Sequence, residues 1–292
     1  MQNTSPIPIF SPKRLNAVQA RAARIGKADS FFLAKIAAGS IAERLAVTQR
    51  EFTNAADIFS PANFMTTELE KLQNVGEVKK IGFSAEQSCL NLEAPPQTFA
   101  NPEILPLVAN SLSLVTSLFG LHWSNDIPGT FIQIRKALKS DGLFMAALPG
   151  SQTLTELRSC LIEAESRLTG GVSLRVDQFG EVRQFGNLLQ RAGFALPVAD
   201  TEIFTVRYTG LKSLIADLRA MGASNTSVDY SFRPARGLFE LAEEIYHERF
   251  ADLDGKIRAT FEIVYLTGWV PHASQQKPQK PGSAKNQLKD FI

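Results

Sequence analysis

The chain has 292 residues and a mass of 32.0 kDa, long enough for one large α/β domain or two small ones. Hydrophobic residues make up 44% and charged residues 21% of it, which excludes collagen-like, low-complexity and wholly disordered classes. The 31 basic and 29 acidic side chains leave a net charge of +2, too small for the basic footprint of tight nucleic-acid binding. We therefore expect a soluble folded protein that binds no nucleic acid.

Cysteine and histidine usage argues against a disulfide framework or a metal site. Cys89 and Cys160 lie in unrelated contexts, and the histidines are scattered without metal-ligand spacing. No apolar run reaches the ~18 to 20 residues that cross a bilayer, and the N-terminal residues lack the pattern of a signal peptide. We expect no metal, no signal peptide and no transmembrane segment, whereas peripheral contact with a membrane stays open.

The N-terminal region has a basic stretch followed by a helical pattern. Residues 11–28 carry only basic charges, which indicates either a targeting or anionic-surface segment or a basic first helix. From Asp29, a candidate N-cap, apolar residues such as Ile36 and Leu45 recur at helical spacing. We predict an N-terminal helical extension over 1–48.

The next part of the chain alternates strands with a helix. The segment 125–142 has Asp126 before Pro128, apolar residues at helical spacing and Gly142 after its end, and so predicts a helix. Four short apolar segments surround it, at 54–60, 78–83, 112–119 and 142–148. The last three of these segments have the composition of strands. Strands and helices that alternate at this distance indicate βαβ units and a parallel sheet covered on both faces.

The second half continues this pattern as far as a polar tail. Helices are predicted at 153–168, 181–194, 211–221 and 234–250, and strands at 202–208 and 255–270. The two late strands, separated by helices, suit an antiparallel edge of the same sheet. We predict an α/β domain over 49–271 with a helical insertion at about 211–250, and a flexible basic tail over 272–292.

A resemblance to a known superfamily begins at residues 121–158, with the sequence LHWSNDIPGTFIQIRKALKSDGLFMAALPGSQTLTELR. This segment resembles class I S-adenosylmethionine (SAM)-dependent methyltransferases. Within them it resembles the branch of the mitochondrial complex I assembly factor, an arginine hydroxylase or methyltransferase, with its bacterial relatives and the malonyl-carrier-protein methyltransferase of biotin synthesis. The similarity continues through 188–208, 214–225 and 258–284.

The resemblance implies a fold, a partner and a location. The fold is a Rossmann-like sheet of seven strands, mostly parallel with an antiparallel last strand and with helices on both faces. The partner is a subunit of respiratory complex I. The location is the cytoplasm of a bacterium, or the mitochondrial matrix of a eukaryote.

The cofactor loop implied by the resemblance departs from the superfamily pattern. That pattern is a strand ending in an acid, followed by a GxGxG loop that lets the backbone approach the cofactor. In AADIFSPANFM the acid is kept as Asp57 and Ser60 lies within the loop. The glycine positions are held by Phe59, Pro61 and Asn63, of which Pro61 lacks an N–H and Phe59 adds bulk. The loop is predicted to be a poor cradle for SAM.

Other positions of the implied site also lack the expected acids. Phe83 stands where an acid grips the ribose hydroxyls, and Glu86 comes too late in the chain. Asn101 stands where an acid meets the adenine amine, Ser113 replaces the acid of the fourth strand, and Ser117 matches the site as well. Two lost hydrogen bonds, at roughly 1.5 to 3 kcal/mol each, weaken binding by about 10² to 10⁴. We predict that SAM binds at millimolar affinity or weaker.

Candidate catalytic residues are few. His122 and Trp123 follow the fourth strand at the carboxyl edge, where open α/β sheets bind ligands. They form either a general base with an aromatic wall or a packed pair that fixes the loop. Glu156 and Arg158 are expected on a solvated helix face, and His272 either meets the active edge or is a surface histidine.

Two functions remain open at this point. Gln152 stands where the resemblance implies an acid, so no catalytic carboxylate is expected there. One hypothesis is a methyltransferase-fold protein with a degenerate cofactor loop that binds another protein as an assembly-type factor. The alternative is an active SAM-dependent methyltransferase, or a related hydroxylase, with an atypical cofactor loop. The fold alone does not decide between them.

Overall fold

The chain folds around one β-sheet, and the computed structural model describes it over residues 8–83, 98–228 and 233–276. The strands are β1 (Phe52–Ile58), β2 (Val75–Gly82), β3 (Thr98–Phe99), β4 (Leu112–Leu118), β5 (Leu138–Pro149), β6 (Ala195–Tyr208) and β7 (Ile257–Trp269). The helices are α1 (Pro12–Ile25), α2 (Phe32–Ala46), α3 (Phe64–Glu70), α4 (Ile127–Ala137), α5 (Thr155–Thr169), α6 (Val182–Arg191), α7 (Leu211–Ala220) and α8 (Leu238–Phe250).

The strand order and directions are those of a Rossmann-like methyltransferase sheet. The order is β3-β2-β1-β4-β5-β7-β6. The first five strands pair in parallel, and β7 runs antiparallel to both of its neighbours, β5 and β6. The predicted sheet, mostly parallel with an antiparallel last strand, is confirmed. The helices α7 and α8 lie between β6 and β7 and form the predicted helical insertion.

Helices cover both faces of the sheet, as predicted. On one face α4 and α6 bury Phe131 and Leu189, and on the other α2 and α3 bury Ile41 and Met65. Burial of each large apolar side chain stabilises the fold by roughly 1.5 to 3 kcal/mol. Because both faces are covered, β4 is buried almost throughout, and β5 is buried from Gly142 to its end.

Two predicted boundaries are wrong. The strand predicted over 202–208 begins at Ala195, as β6, and the end of α4 differs as well. The sequence predicts a helix over 125–142 that stops at Gly142, but α4 ends sooner and the chain enters β5 at Leu138. Leu138 is fully buried and pairs with Leu112 of β4. This long-range pairing overrides the helical pattern, and Gly142 lies within β5 instead of capping a helix.

The N-terminal helices are packed onto the rest of the fold. The helix α1 is the predicted basic first helix, and its cap residue Ser11 donates its N–H to the Thr226 carbonyl at 2.9 Å. Asp29 lies in a short 3-10 turn, and the N-cap of α2 is Phe31 instead. The domain boundaries at 48 and 271 stay predictions, and the tail beyond residue 276 lies outside the described residues.

Candidate functional site

Asp57, the acid at the end of β1, is held in a fully buried hydrogen-bond network. Its Oδ1 accepts from Ser60 Oγ at 2.5 Å and from Thr116 Oγ1 at 3.2 Å. Ser60 Oγ in turn accepts the Leu118 N–H at 2.9 Å. Burial raises the pKa of Asp57, although the nearby Lys80 ammonium acts in the opposite direction. Asp57 and Ser60 therefore join β1 to β4 and keep the following turn tight.

The loop at 59–63 is fixed by its own backbone and by a lysine from β2. Phe59 and Ala62 both have left-handed backbones, with φ of 60° and 51°. Lys80 Nζ donates to the Ala62 carbonyl and, at 2.6 Å, to Asn63 Oδ1. These two oxygen atoms of the loop are thus already hydrogen-bonded to Lys80. A phenylalanine at φ of 60° is unusual because a β-carbon crowds this conformation, which glycine adopts freely.

Aromatic rings occupy the space between the ends of β1 and β2. Phe59 stacks on Phe83 with ring centroids 4.3 Å apart and planes 11° from parallel. Trp123 and Phe83 form an edge-to-face pair with ring centroids 5.7 Å apart. Phe10 and Leu15, from the N-terminal segment and α1, pack against the same cluster. The sequence-predicted positions Phe59, Phe83 and Trp123 are therefore brought together, in a stacked apolar arrangement.

His122 lies at the carboxyl edge, as predicted, but in aromatic surroundings. Its ring is 4.2 Å from that of Trp123 and 5.9 Å from that of Phe179, between centroids. Burial lowers the pKa of His122 to about 3. Its Nδ1 is buried and finds no hydrogen-bond partner among the residues that the structure describes. The imidazole is therefore neutral at physiological pH, and no acid orients it in that part of the chain.

A cavity of about 620 Å³ lies beside this loop, between α1, α7 and the carboxyl ends of β1, β4 and β5. Its wall includes a carboxylate that the sequence analysis missed, Glu262 of β7, which is buried. The Gln152 N–H donates to Glu262 Oε2 at 2.8 Å. Gln152 itself offers no carboxylate, but β7 brings one to the same turn. The only signal was one acid inside the apolar run FEIVYLTGW.

Asp177 is a second carboxylate of this cavity that the sequence did not reveal. Burial raises the pKa of Asp177 to about 6, against a lowering by Arg158 and by a backbone hydrogen bond from Thr226. Asp177 Oδ1 is buried and has no hydrogen-bond partner in the described ranges. Asp177 lies in the connection between α5 and α6, a segment without helix or strand periodicity, so no sequence pattern singled it out.

Two other predicted positions lie near the site without sharing its centre. Asn101 is exposed, and its Oδ1 accepts the Glu103 N–H at 3.0 Å. It lines a smaller cleft of about 280 Å³ together with Phe83 and Trp123. Ser117 is buried in β4, and its Oγ has no hydrogen-bond partner among the described residues. Glu86 lies outside those residues.

The structure contradicts the expectations for Ser113 and Arg158, and of the two alternatives for His272 it supports the surface histidine. Ser113 lies at the start of β4, away from the carboxyl edge, where its Oγ bonds to the Asn54 backbone. His272 follows β7, and because β7 is antiparallel, its end lies at the edge opposite the site. Arg158 is not on a solvated face, since it donates to the Thr153 carbonyl at 3.1 Å and is half-buried.

Glu156, the neighbour of Arg158 on α5, is likewise engaged with the protein. It accepts the Thr260 N–H at 3.1 Å and also the hydroxyl of the same residue. The two charged side chains therefore fasten α5 to β7 and to the preceding turn, instead of facing solvent as the sequence predicted.

Metal-ligating clusters and membrane-spanning helices are both absent from residues 8–83, 98–228 and 233–276. Within these ranges no group of three or more His, Cys, Asp or Glu side chains is arranged to hold a metal ion. No helix in the same ranges is long and apolar enough to cross a bilayer.

Solved structures share this fold at low sequence identity. YcgJ of Bacillus subtilis superposes with a TM-score of 0.53 at 13% identity, over 81% of this chain and 99% of that one. The methyltransferase candidate BH2331 of Bacillus halodurans gives 0.53 at 12% identity, over 80% and 98%. These likenesses show the fold alone. No protein-family model matches the chain.

Sequence relatives are much more similar. The chain is 35% identical over 258 residues to the zebrafish arginine hydroxylase NDUFAF5, mitochondrial, covering 86% of this chain and 79% of the relative. It is 36% identical to the human protein of that name, and the match covers 90% of this chain and 77% of the human protein. A malonyl-[acyl-carrier protein] O-methyltransferase of Gallionella capsiferriformans is 36% identical, and the match covers 59% of this chain and 57% of that protein. With the fold of class I SAM-dependent methyltransferases and this degree of similarity, the chain belongs to the family of the arginine hydroxylase NDUFAF5.

Proposed function

We propose that this chain is a methyltransferase-fold protein whose cofactor loop is degenerate, and that it acts by binding a protein partner during assembly of respiratory complex I. The observation that carries the proposal is the Phe59–Phe83 stack. These two rings stand at the positions where the superfamily has a loop glycine and the ribose-binding acid.

The residues at this position do not fit SAM. The adenosine would have to displace stacked rings, each pair of which is worth about 0.5 to 1.5 kcal/mol beyond its burial. It would gain no ribose carboxylate in return, since Phe83 replaces it. The loop amides are also constrained, because Pro61 has no N–H to offer and Lys80 ties the loop to β2. Each of these effects weakens binding of the adenosine part of SAM.

The partner is inferred from the family. The full-length relatives are named arginine hydroxylases, so the partner segment carries an arginine. The buried carboxylates of Glu262 and Asp177 in the large cavity are acceptors of the kind that a guanidinium group requires. In a bacterium such a chain acts in the cytoplasm. In a eukaryote it acts in the mitochondrial matrix, and the word "mitochondrial" in the names of the relatives supports this location.

The second candidate function is enzymatic, either SAM-dependent methyl transfer or arginine hydroxylation. It is favoured by the same cavity, which places two carboxylates at the carboxyl edge of the sheet, where α/β enzymes have their active sites. The two candidates differ in whether the partner leaves chemically changed.

Deletion of the gene in its native cells, followed by mass spectrometry of the complex I iron–sulfur subunits, separates these functions. The proposal predicts that complex I fails to assemble without the chain and that no arginine carries a methyl or hydroxyl group dependent on it. Complementation with the wild-type chain is the control. An arginine heavier by one methyl group or one oxygen only when the chain is present would establish the enzymatic candidate. Normal complex I assembly in the deletion would refute the proposed role in assembly.

A further inference from the structure

Three arginines meet beside the mouth of the large cavity. Arg21 and Arg219, from α1 and α7, line it, and Arg24 stands next to them on α1. Arg21 is held in place, because its Nη2 donates to Ser224 Oγ at 2.6 Å. Its Nε is buried and has no hydrogen-bond partner in the part of the chain that the structure describes. One donor of a fixed guanidinium group thus remains to be satisfied.

The charge of this cluster is not compensated within the described residues. None of the three arginines forms an ion pair with an acid among residues 8–83, 98–228 and 233–276. Burial lowers the pKa of Arg21, and the neighbouring charges of Arg219 and Arg24 lower it further. Like charges held together cost free energy. An anion between them would remove that cost and accept the unsatisfied N–H.

The interior behind the arginines is mainly apolar. It is lined by aromatic and aliphatic side chains from α5, β7 and the turns before α2 and after β4, among them Phe31, Phe119, Leu157, Leu161 and Phe261. A volume of about 620 Å³ lies within the range of roughly 300 to 1,000 Å³ that is usual for small-molecule sites. The cavity therefore combines a cationic mouth with an apolar body.

We propose that this cavity binds an amphiphilic monoanion, with its anionic group on Arg21 and Arg219 and its apolar body among Phe31, Leu157 and Phe261. The charge of the mouth and the lining of the interior together select this ligand class. A small polar anion would leave the interior unfilled, and a neutral apolar molecule would leave the arginines unpaired. The carboxylates of Glu262 and Asp177 line the same cavity, so this ligand and the arginine of the proposed partner would compete for it.

Titration calorimetry with three probes tests it. Dodecanoate, below its micelle concentration, carries both the anionic group and the apolar chain. Dodecanol carries the chain alone, and acetate carries the charge alone. The proposal predicts that dodecanoate binds at least about tenfold more tightly than dodecanol, because a hydrogen-bonded charge is worth that much or more, and that acetate binds without measurable heat.

Two variants and one control locate the anionic group. Arg219 is exposed, so Arg219→Gln keeps the fold, and it is combined with Arg21→Gln in a second variant. Both are expected to weaken dodecanoate at least about tenfold and to leave dodecanol unchanged. Lys13→Gln removes one exposed charge from α1, the helix of Arg21, outside the cavity. This control should change the affinities for dodecanoate and dodecanol by no more than about twofold.

Three results would overturn the proposal. The first is equal affinity for dodecanoate and dodecanol, which removes the role of the arginines. The second is binding of acetate as tight as that of dodecanoate, which removes the role of the apolar interior. The third is an equal loss of dodecanoate affinity in Lys13→Gln and Arg219→Gln, which reduces the effect to net charge.

Discussion

Gly120, in the turn after β4, packs directly against the backbone of Phe59. A β-carbon added at Gly120 would lie 2.3 Å from the Cβ of Phe59 and 2.6 Å from its carbonyl oxygen. Phe59 is itself buried and has a φ of 60°. The bulky Phe59 in the turn after β1 is thus accommodated by a glycine after β4. The two turns fit each other as a pair.

This contact predicts that Gly120→Ala destabilises the fold. Neither backbone can move freely, so we expect a loss of about 1 to 3 kcal/mol in the free energy of unfolding, the usual cost of overpacking. Urea unfolding measures it. Gly39→Ala is the matched control, because nothing lies within 4 Å of an added β-carbon there and α2 should gain up to about 1 kcal/mol. Equal effects of the two substitutions would disprove the contact.

Phe83→Asp should destabilise the chain although it restores the acid of the superfamily. The substitution removes the stack on Phe59 and the contact with Trp123 and places a charge in an apolar cluster. We expect a loss of about 2 kcal/mol, measured by urea unfolding. Phe83→Leu, which keeps an apolar side chain, should lose less than half as much. A Phe83→Asp chain as stable as the native one would show that the rings do not stabilise this cleft.

Asp177 should make the chain less stable as pH rises. Its pKa is raised from 3.8 to about 6 in the folded state, so the folded chain binds this proton more tightly than the unfolded chain. The stability that this gives is complete below pH 4 and is lost as pH rises through 6. Asp177→Asn should therefore gain stability relative to the native chain between pH 4 and 6, on the order of 2 kcal/mol. A difference that is constant from pH 4 to 7 would contradict this.

His122 should stay neutral well into the acid range. Its pKa is lowered to about 3, so the folded state resists protonation and the stability that His122 contributes is lost as pH falls from 6.5 towards 3. Its ring signals in an NMR titration, assigned with a His122→Gln variant, should not shift between pH 7 and 5. A midpoint above pH 6 would show that the ring is solvated.

Local sequence patterns predicted most of the fold. The long β-rich run became β7, and Gly193 ends α6 with a φ of 85°. The error at the end of α4 arose because Leu138 belongs to β5 through its pairing with Leu112. No local pattern contains that pairing.

The candidate site was predicted in part. The ends of β1 and β2 could be located from the resemblance, so Asp57, Phe59 and Phe83 were expected at one edge, and they meet there. The carboxylates of Glu262 and Asp177 could not be expected. Glu262 reaches the site only because β7 is antiparallel beside β5. Asp177 reaches it only because the irregular segment between α5 and α6 packs against α7 through Val176.

The most direct test of the central claim is titration of S-adenosylhomocysteine into the native chain by calorimetry, with a SAM-dependent methyltransferase titrated from the same stock as the positive control. The proposed degenerate loop predicts a dissociation constant in the millimolar range or weaker, because the stacked rings of Phe59 and Phe83 would occupy the nucleoside position and Phe83 offers no carboxylate to the ribose. A dissociation constant near 1 μM, about −8 kcal/mol, would contradict the degenerate loop and restore the enzymatic interpretation.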